Sequence, residues 1–344
     1  MFLIVYECIM ARYNILKPFK PLFHLDNEPS SPDSPDSWLD FEISLEPPEK
    51  ALYLTRSSEW LLQVGRESGI ERQLSLLGYS HPVIKVSTES FVSRLTISDL
   101  SLLTDDEKEN HENFVVKENN YLIDIMTRPY KLKYHQLNAY QSLLRLSDPL
   151  VTNERIDDQI FSPSKCAETA EFIKTQFPVR PKMTKQEWVC LQDPKAEFSQ
   201  QKPRLPGQRH PGLGIGNLFF TTLNKLVAEK NFGMFFTAEH FHNAVMYSKS
   251  GAKFASPLME GYFRALTESL KPLITQYSLS AISWGIGEGR VVDEDTGRPV
   301  VYLAQEQLAP IEENIVRYIS SAQYKSIAEE AYVLGRARKL RLLE

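Results

Sequence analysis

The chain has 344 residues, 42% hydrophobic and 11% aromatic, with 39 Lys and Arg against 44 Asp and Glu for a formal charge of −5. That length and apolar content support large buried cores, and the acidic balance argues against a nucleic-acid partner held by broad phosphate neutralisation. Three cysteines, Cys8, Cys166 and Cys190, form no CxxC pair, which argues against a disulfide framework or a thiolate zinc site and fits a reducing, cytoplasmic setting.

Residues 1–10 are apolar but carry Glu7 and no basic start; they are too short to span a bilayer and read as a buried edge, so no membrane partner is expected. Residues 1–48 form an N-terminal segment that includes a linker at 28–37, where Pro, Ser and Asp leave nothing to bury. Residues 49–180 read as an α+β region. A strand is expected at 51–55, and Ser57, Ser58 and Glu59 ahead of Trp60, Leu61 and Val64 open a helix. A second helix runs through Ile70, Leu74 and Leu77 to Gly78. The acidic stretch 105–112 reads as a solvated loop, and 114–117 with 121–125 as a hairpin about Asn119 and Asn120. Helices are expected at 135–146 and 164–177. The stretch 186–198, with Trp188 and Cys190 on one side, reads as a strand, followed by a polar, Pro-rich stretch at 199–208.

The densest signal lies at 205–254. Gly207, Gly212, Gly214 and Gly216 lead into a helix whose Phe219, Leu223, Leu226 and Val227 share a face, stopped at Asn231 and Gly233. A short strand at 234–237, a helix at 240–250 and a strand opening at Lys253 and Phe254 follow. Glycine lets backbone approach a ligand, and the first amides of a helix have no internal partners and sit at its positive end. Such a join can hold an anion; the alternative is a plain tight loop. Beyond it, a helix is expected at 259–270. Residues 283–290 and 299–303 read as a hairpin whose first strand carries the run Gly285-Ile286-Gly287-Glu288-Gly289, a bend without a following helix. The tail 309–344 reads as one or two helices with Ile311, Ile315, Tyr318, Ile319 and Tyr332 inward and a solvated basic cluster at Arg336, Arg338, Lys339 and Arg341.

The order glycine loop, helix, strand, helix, with Tyr247-Ser248-Lys249-Ser250-Gly251 on the second helix, resembles the core of the GNAT acetyltransferase superfamily. In that family a Q/R-x-x-G-x-G/A loop presents amides to a coenzyme pyrophosphate, and a later Y-x-K-x-G-F run supplies a tyrosine. Two registers fit the loop. Arg209-His210-Pro211-Gly212-Leu213-Gly214 satisfies the formula literally, and Gly212-Leu213-Gly214-Ile215-Gly216 matches the helix entry with Pro211 in the Q/R place. Ala252 stands where the family usually has Phe, and the stretch 199–208 is inserted where the family passes directly from strand to loop.

The resemblance implies a mixed α/β fold with a central mixed sheet flanked by helices, an acetyltransferase-like domain over 181–308 and an additional N-terminal α+β region. It implies acetyl-coenzyme A as acyl donor, bound by Arg209, Gly212, Leu213, Gly214, Ile215, Gly216 and Asn217, and a small-molecule or protein amine as acceptor. Tyr247 becomes the proton donor to the leaving thiolate, or else an aromatic packed on a helix face. Glu239 and His240, at the end of the strand, are the candidate general bases. Two other classes of function fit local residues. A non-catalytic binding protein of the same fold accounts for the departures from the motif. A metal-dependent hydrolase would use His210, Glu239, His240 and His242; a spacing of two suits a strand or loop, whereas on a helix His240 and His242 would diverge by about 200°.

Overall fold

A computed structural model describes residues 58–89, 92–105, 108, 120–130, 160–176, 183–229, 233–336 and 338–344. The strand at 51–55, the linker at 28–37, the first half of the 114–125 hairpin and the helix at 135–146 lie outside these. The described elements begin with helices α1 (Ser58–Ser68) and α2 (Ile70–Leu76). Strands β1 (Pro82–Glu89), β2 (Val92–Asp99) and β3 (Ile123–Tyr130) follow, then α3 (Pro163–Gln176) and β4 (Met183–Leu191). Next come α4 (Gly216–Ala228), β5 (Gly233–Thr237), α5 (Phe241–Lys249) and β6 (Lys253–Phe254). The chain closes with α6 (Pro257–Tyr277), α7 (Leu279–Gly287), β7 (Val291–Asp293), β8 (Glu306–Ala309), α8 (Glu313–Ser320), α9 (Ala322–Gly335) and β9 (Leu340–Leu342). This is a mixed α/β fold, as the sequence implied.

Seven strands form one sheet in the order β1-β2-β3-β4-β5-β8-β6. Every neighbouring pair is antiparallel except β4 and β5. A parallel pair needs a crossover rather than a tight turn, and α4 supplies it. Strand alternation sorts the side chains onto two faces. Leu95, Ile97, Ile125, Val189, Met234 and Phe236 pack with Leu61 and Leu74 of α1 and α2 and with Phe219, Leu223 and Val227 of α4. Phe235 and Leu308 face the other way, toward Phe172 of α3, Leu258, Tyr262 and Leu266 of α6, Ile282 of α7 and Tyr318 of α8. Each such side chain, fully buried, contributes about 1.5–3 kcal/mol of hydrophobic stabilisation. The β5 run Met234-Phe235-Phe236 feeds both layers, so it has no polar face.

Small residues let α6 and α9 touch. A Cβ placed on Gly261 would sit 2.2 Å from the Ala328 carbonyl oxygen and 2.6 Å from the Ala331 Cβ. Any larger residue there would push the helices apart. No helix among the described residues is long and apolar enough to cross a membrane.

The structure revises several expectations. Residues 279–287 are helix α7, not the first strand of a hairpin, so Gly285 and Gly287 lie on a helix. Its start is fixed by Ser278, whose Oγ accepts from the Ala281 N–H, and its buried stripe by Ile282 and Ile286. The following strand, β7, pairs with β9 near the chain end, and only an isolated bridge joins Val292 to Pro299. The tail therefore ends in a strand as well as two helices. Arg341 of the basic cluster lies on that strand, and Arg338 sits over the Tyr262 ring at 5.5 Å. Helix α6 runs to Tyr277 with Pro272 inside it, well past the expected end. Residues 121–125 contribute to β3, which pairs with β2 and β4. The boundary expected at 181 falls between β3 and β4 of a single sheet. Residues 47–344 cluster as one compact unit.

Candidate functional site

The parallel pair is short. Met183, Thr184, Lys185 and Gln186 face Gly233, Met234, Phe235 and Phe236, and there the pairing ends. Strand β4 continues to Leu191 against β3 alone. The register with β3 shifts at this point, Met126 facing Trp188 and Thr127 facing Gln186, which leaves Glu187 as an extra, bulged residue. Among the described residues no strand pairs with the other edge of 187–191. The sheet opens between two carboxyl strand ends, the usual place for a ligand crevice in α/β sheets.

The glycine loop closes the far end of this opening. The Asp193 N–H donates to the Pro211 carbonyl at 2.7 Å, and Gln192 is bridged to Gly212. The loop then alternates. Leu213 and Ile215 point inward at 4% and 5% exposure and join the α4 core, whereas Gly214 faces outward at φ +75°. A Cβ at Gly214 or Gly216 would meet nothing within 4 Å. Helix α4 starts at Gly216 with no side chain capping it from Ile215. Its first amides therefore have no side-chain acceptor at the mouth, and Asn217 is exposed beside them. Of the loop residues singled out in the sequence, Gly214, Gly216 and Asn217 stand together at the opening. Leu213 and Ile215 offer only backbone there, and Gly212 is tied to β4. Arg209 is exposed and close to Cys190 of β4. Burial, helped by Asp124, pushes that thiol up to about 11, and Arg209 opposes the shift.

The polar stretch 199–208 has a structural task. The Arg204 carbonyl accepts from Ser280 Oγ and from Trp284 Nε1 at 3.0 Å, both on α7. Gly207 packs so closely on His240 that an added Cβ would lie 3.4 Å from Nε2. The insertion thus braces the glycine loop against α7 and against the end of β5.

Tyr247 lies on α5 and turns its ring toward β5 and α4. Its ring stacks on Phe236 of β5 at 4.6 Å and meets Phe220 of α4 edge-on at 5.4 Å. Burial, and then the nearby Glu239 carboxylate, push its hydroxyl up to about 12, so it stays protonated at neutral pH. The rest of the Tyr-x-Lys-x-Gly run has a backbone explanation. Gly251 at φ +92° and Ala252 return their N–H groups to Ser248 and Tyr247, a Schellman closure of α5 that requires glycine. Ala252 is buried under that turn.

Glu239 and His240 follow β5, and both line a cleft of about 770 Å³ that α7 and the 298–302 segment also wall. Burial lowers the His240 pKa, with Glu239 opposing, which leaves the imidazole neutral and able to accept a proton at pH 7. His242 is 2% exposed; its Nδ1 lies 2.9 Å from Ser283 Oγ on α7, and burial, then His240, hold its pKa near 4. The two imidazoles do not diverge. His240 is extended ahead of the helix and His242 is in its first turn, so the rings lie parallel at 5.6 Å and 12°. His210 does not join them: among the described residues no group of three or more His, Cys, Asp or Glu is placed to hold a metal ion.

Sequence reasoning missed the far walls of this cleft, Ser283, Arg298 and Tyr302. Tyr302 donates to the Ala238 carbonyl at 2.8 Å and so fixes the exit of β5. The one signal was Tyr302 at the end of an apolar run, Pro299 to Tyr302; nothing local ties Arg298 or Ser283 to β5. No family model, no curated protein and no solved structure matches the chain.

Proposed function

We propose that the chain is an acyltransferase that moves an acetyl or similar acyl group from acyl-coenzyme A to an amine, as the GNAT resemblance of its 205–254 stretch implies. The observation that carries this reading is the parting of β4 from β5 at Gln186 beside the uncapped start of α4. The exposed edge of β4 suits an extended amide-bearing arm, and the bare amides behind Gly214 suit a pyrophosphate.

In the reaction the amine nitrogen attacks the thioester carbonyl carbon, a C–N bond forms and the C–S bond breaks. His240, neutral and next to Glu239, takes the proton the amine gives up. Tyr247, protonated up to about pH 12, returns a proton to the thiolate. Glu239 attracts the ammonium form of the acceptor and favours the imidazolium once it forms.

A second reading has its own support. Gly251 and Ala252 are accounted for by helix closure, and Gly212 is bonded into the sheet. Both departures suit a non-catalytic binding protein built on the same scaffold. Titration calorimetry with acetyl-coenzyme A separates the two. The transferase reading expects micromolar binding that Gly214→Asp abolishes, and a Tyr247→Phe enzyme that loses turnover at least tenfold while its coenzyme affinity stays within twofold. Absence of binding heat to the unmodified chain would sink it in favour of the second reading.

A further inference from the structure

The cleft beyond β5 is lined by two exposed charges of opposite sign. Glu239 lies at the exit of β5, and Arg298 on the segment that leads from the 294–296 turn toward Tyr302; both line the cleft. Glu288, also at its mouth, is already paired with Arg290 at 2.7 Å. Among the described residues neither Glu239 nor Arg298 has an ion-pair partner, and they do not bridge each other, although they bound the same space. Between them the wall is apolar, with Phe241 and Val300 at 1% and 4% exposure and Ile286 at 9%.

The geometry points to a zwitterionic acceptor: a free amino acid with an apolar or aromatic side chain, its carboxylate on Arg298 and its amine toward Glu239 and His240. A guanidinium with both edges available is matched to a carboxylate, which it can grip through two parallel hydrogen bonds. Both residues are exposed, so water serves each in the empty cleft; a simple amine would gain nothing from Arg298, and a simple carboxylate would meet Glu239 as a like charge. The volume of about 770 Å³ exceeds the needs of a single small amine and leaves room for a side chain along Phe241 and Ile286. The neutral His240 imidazole lies on the amine side, where the proton must leave. The chemistry of this assignment rests on the transferase reading; the binding does not.

The test is calorimetry on the full-length chain with L-phenylalanine, phenethylamine and 3-phenylpropionate, each with and without saturating coenzyme A. L-Phenylalanine is expected to bind at least tenfold more tightly than either single-charge analogue. Arg298→Gln should erase its advantage over phenethylamine, and Glu239→Gln its advantage over 3-phenylpropionate, with the circular dichroism of both variants unchanged. Equal binding of phenethylamine and L-phenylalanine, or no amino-acid binding in either coenzyme condition, overturns the assignment. The outcomes separate cleanly: amino-acid binding without coenzyme binding removes the transferase reading and keeps the cleft, whereas the reverse removes only the zwitterion.

Discussion

Two glycine runs of the same pattern do opposite things in this molecule. Gly212-Leu213-Gly214-Ile215-Gly216 leads into α4; Gly214 faces outward and Gly212 bridges to Gln192 at the end of β4, while Leu213 and Ile215 hold the run to the core. Gly285-Ile286-Gly287-Glu288-Gly289 ends α7. There Gly289 at φ +69° and Arg290 return their N–H groups to Ile286 and Gly285 at 3.2 and 2.7 Å, another Schellman closure. A Cβ on Gly285 would sit 2.6 Å from the Leu342 Cδ1, whereas one on Gly214 or Gly216 would meet nothing. The first run exposes helix amides and the second satisfies helix carbonyls. The end of the helix that a glycine run meets decides whether it leaves amides bare or closes carbonyls.

The sharpest way to break this contrast is to fill each run. Gly285→Val drives a branched side chain into Leu342 and into Val291, whose Cγ2 would be 3.1 Å from the new Cβ. It should lower stability by about 3 kcal/mol in a denaturant titration; an unchanged midpoint would mean that the second run is not a packing element.

The helix that carries the second run is also pinned through Ser283 to His242, and that pin is sensitive to pH. His242 has a folded pKa near 4 against an ordinary value of 6.5, so the unfolded chain binds protons that the folded chain refuses. Its contribution is complete above about pH 6.5 and is lost as the pH falls toward 4, up to about 3 kcal/mol in all. His240, shifted the same way, adds to the slope. Denaturation midpoints at pH 7 and pH 4.5 should show the loss, and His242→Gln should flatten it. An equally steep profile in that variant would place the titration elsewhere.

At the first run the effects are smaller and of a different kind. Gly214→Ala meets no atom but must hold φ +75°, at about 1 kcal/mol of stability. Gly216→Ala has neither clash nor left-handed backbone, and its stability should stay within about 0.5 kcal/mol of the parent. On the transferase reading, acetyl-coenzyme A affinity should nonetheless fall at least fivefold, because the new methyl stands at the head of α4. If Gly216→Ala instead lost stability and kept its affinity, the two runs would be alike after all.

Much of the site's scaffold was legible. The spacing of Phe219, Leu223 and Val227 located α4, and Met234 to Thr237 located β5. The helix expected at 240–250 is α5, and Gly251, which entered only through the Tyr-x-Lys-x-Gly run, proves to close it at φ +92°. The alternation in Gly212 to Gly216 already carried the outward Gly214 and inward Leu and Ile. The reading failed at 283–290, where a high density of glycine hid the Ser278 cap and the Ile282 and Ile286 stripe of a helix. Strands β1 and β2 went unnoticed although Ile84 and Val86, and Leu95 and Ile97, alternate clearly. A spacing of two suits a strand or loop and diverges only on a helix; His240, expected to open the helix, stands one residue outside it, so the rings lie parallel.

By itself the sequence determined which segments are helix or strand around the glycine loop, because those choices rest on contacts within four residues and on the backbone freedom of single glycines. Only the tertiary structure decided that β4 leaves β5 at Gln186, that Arg298 shares a cleft with Glu239, and that Ser283 meets His242. Each of these joins residues at least forty positions apart. Their proximity is fixed by the burial of two apolar layers on one sheet, a property of the whole chain that no local pattern encodes.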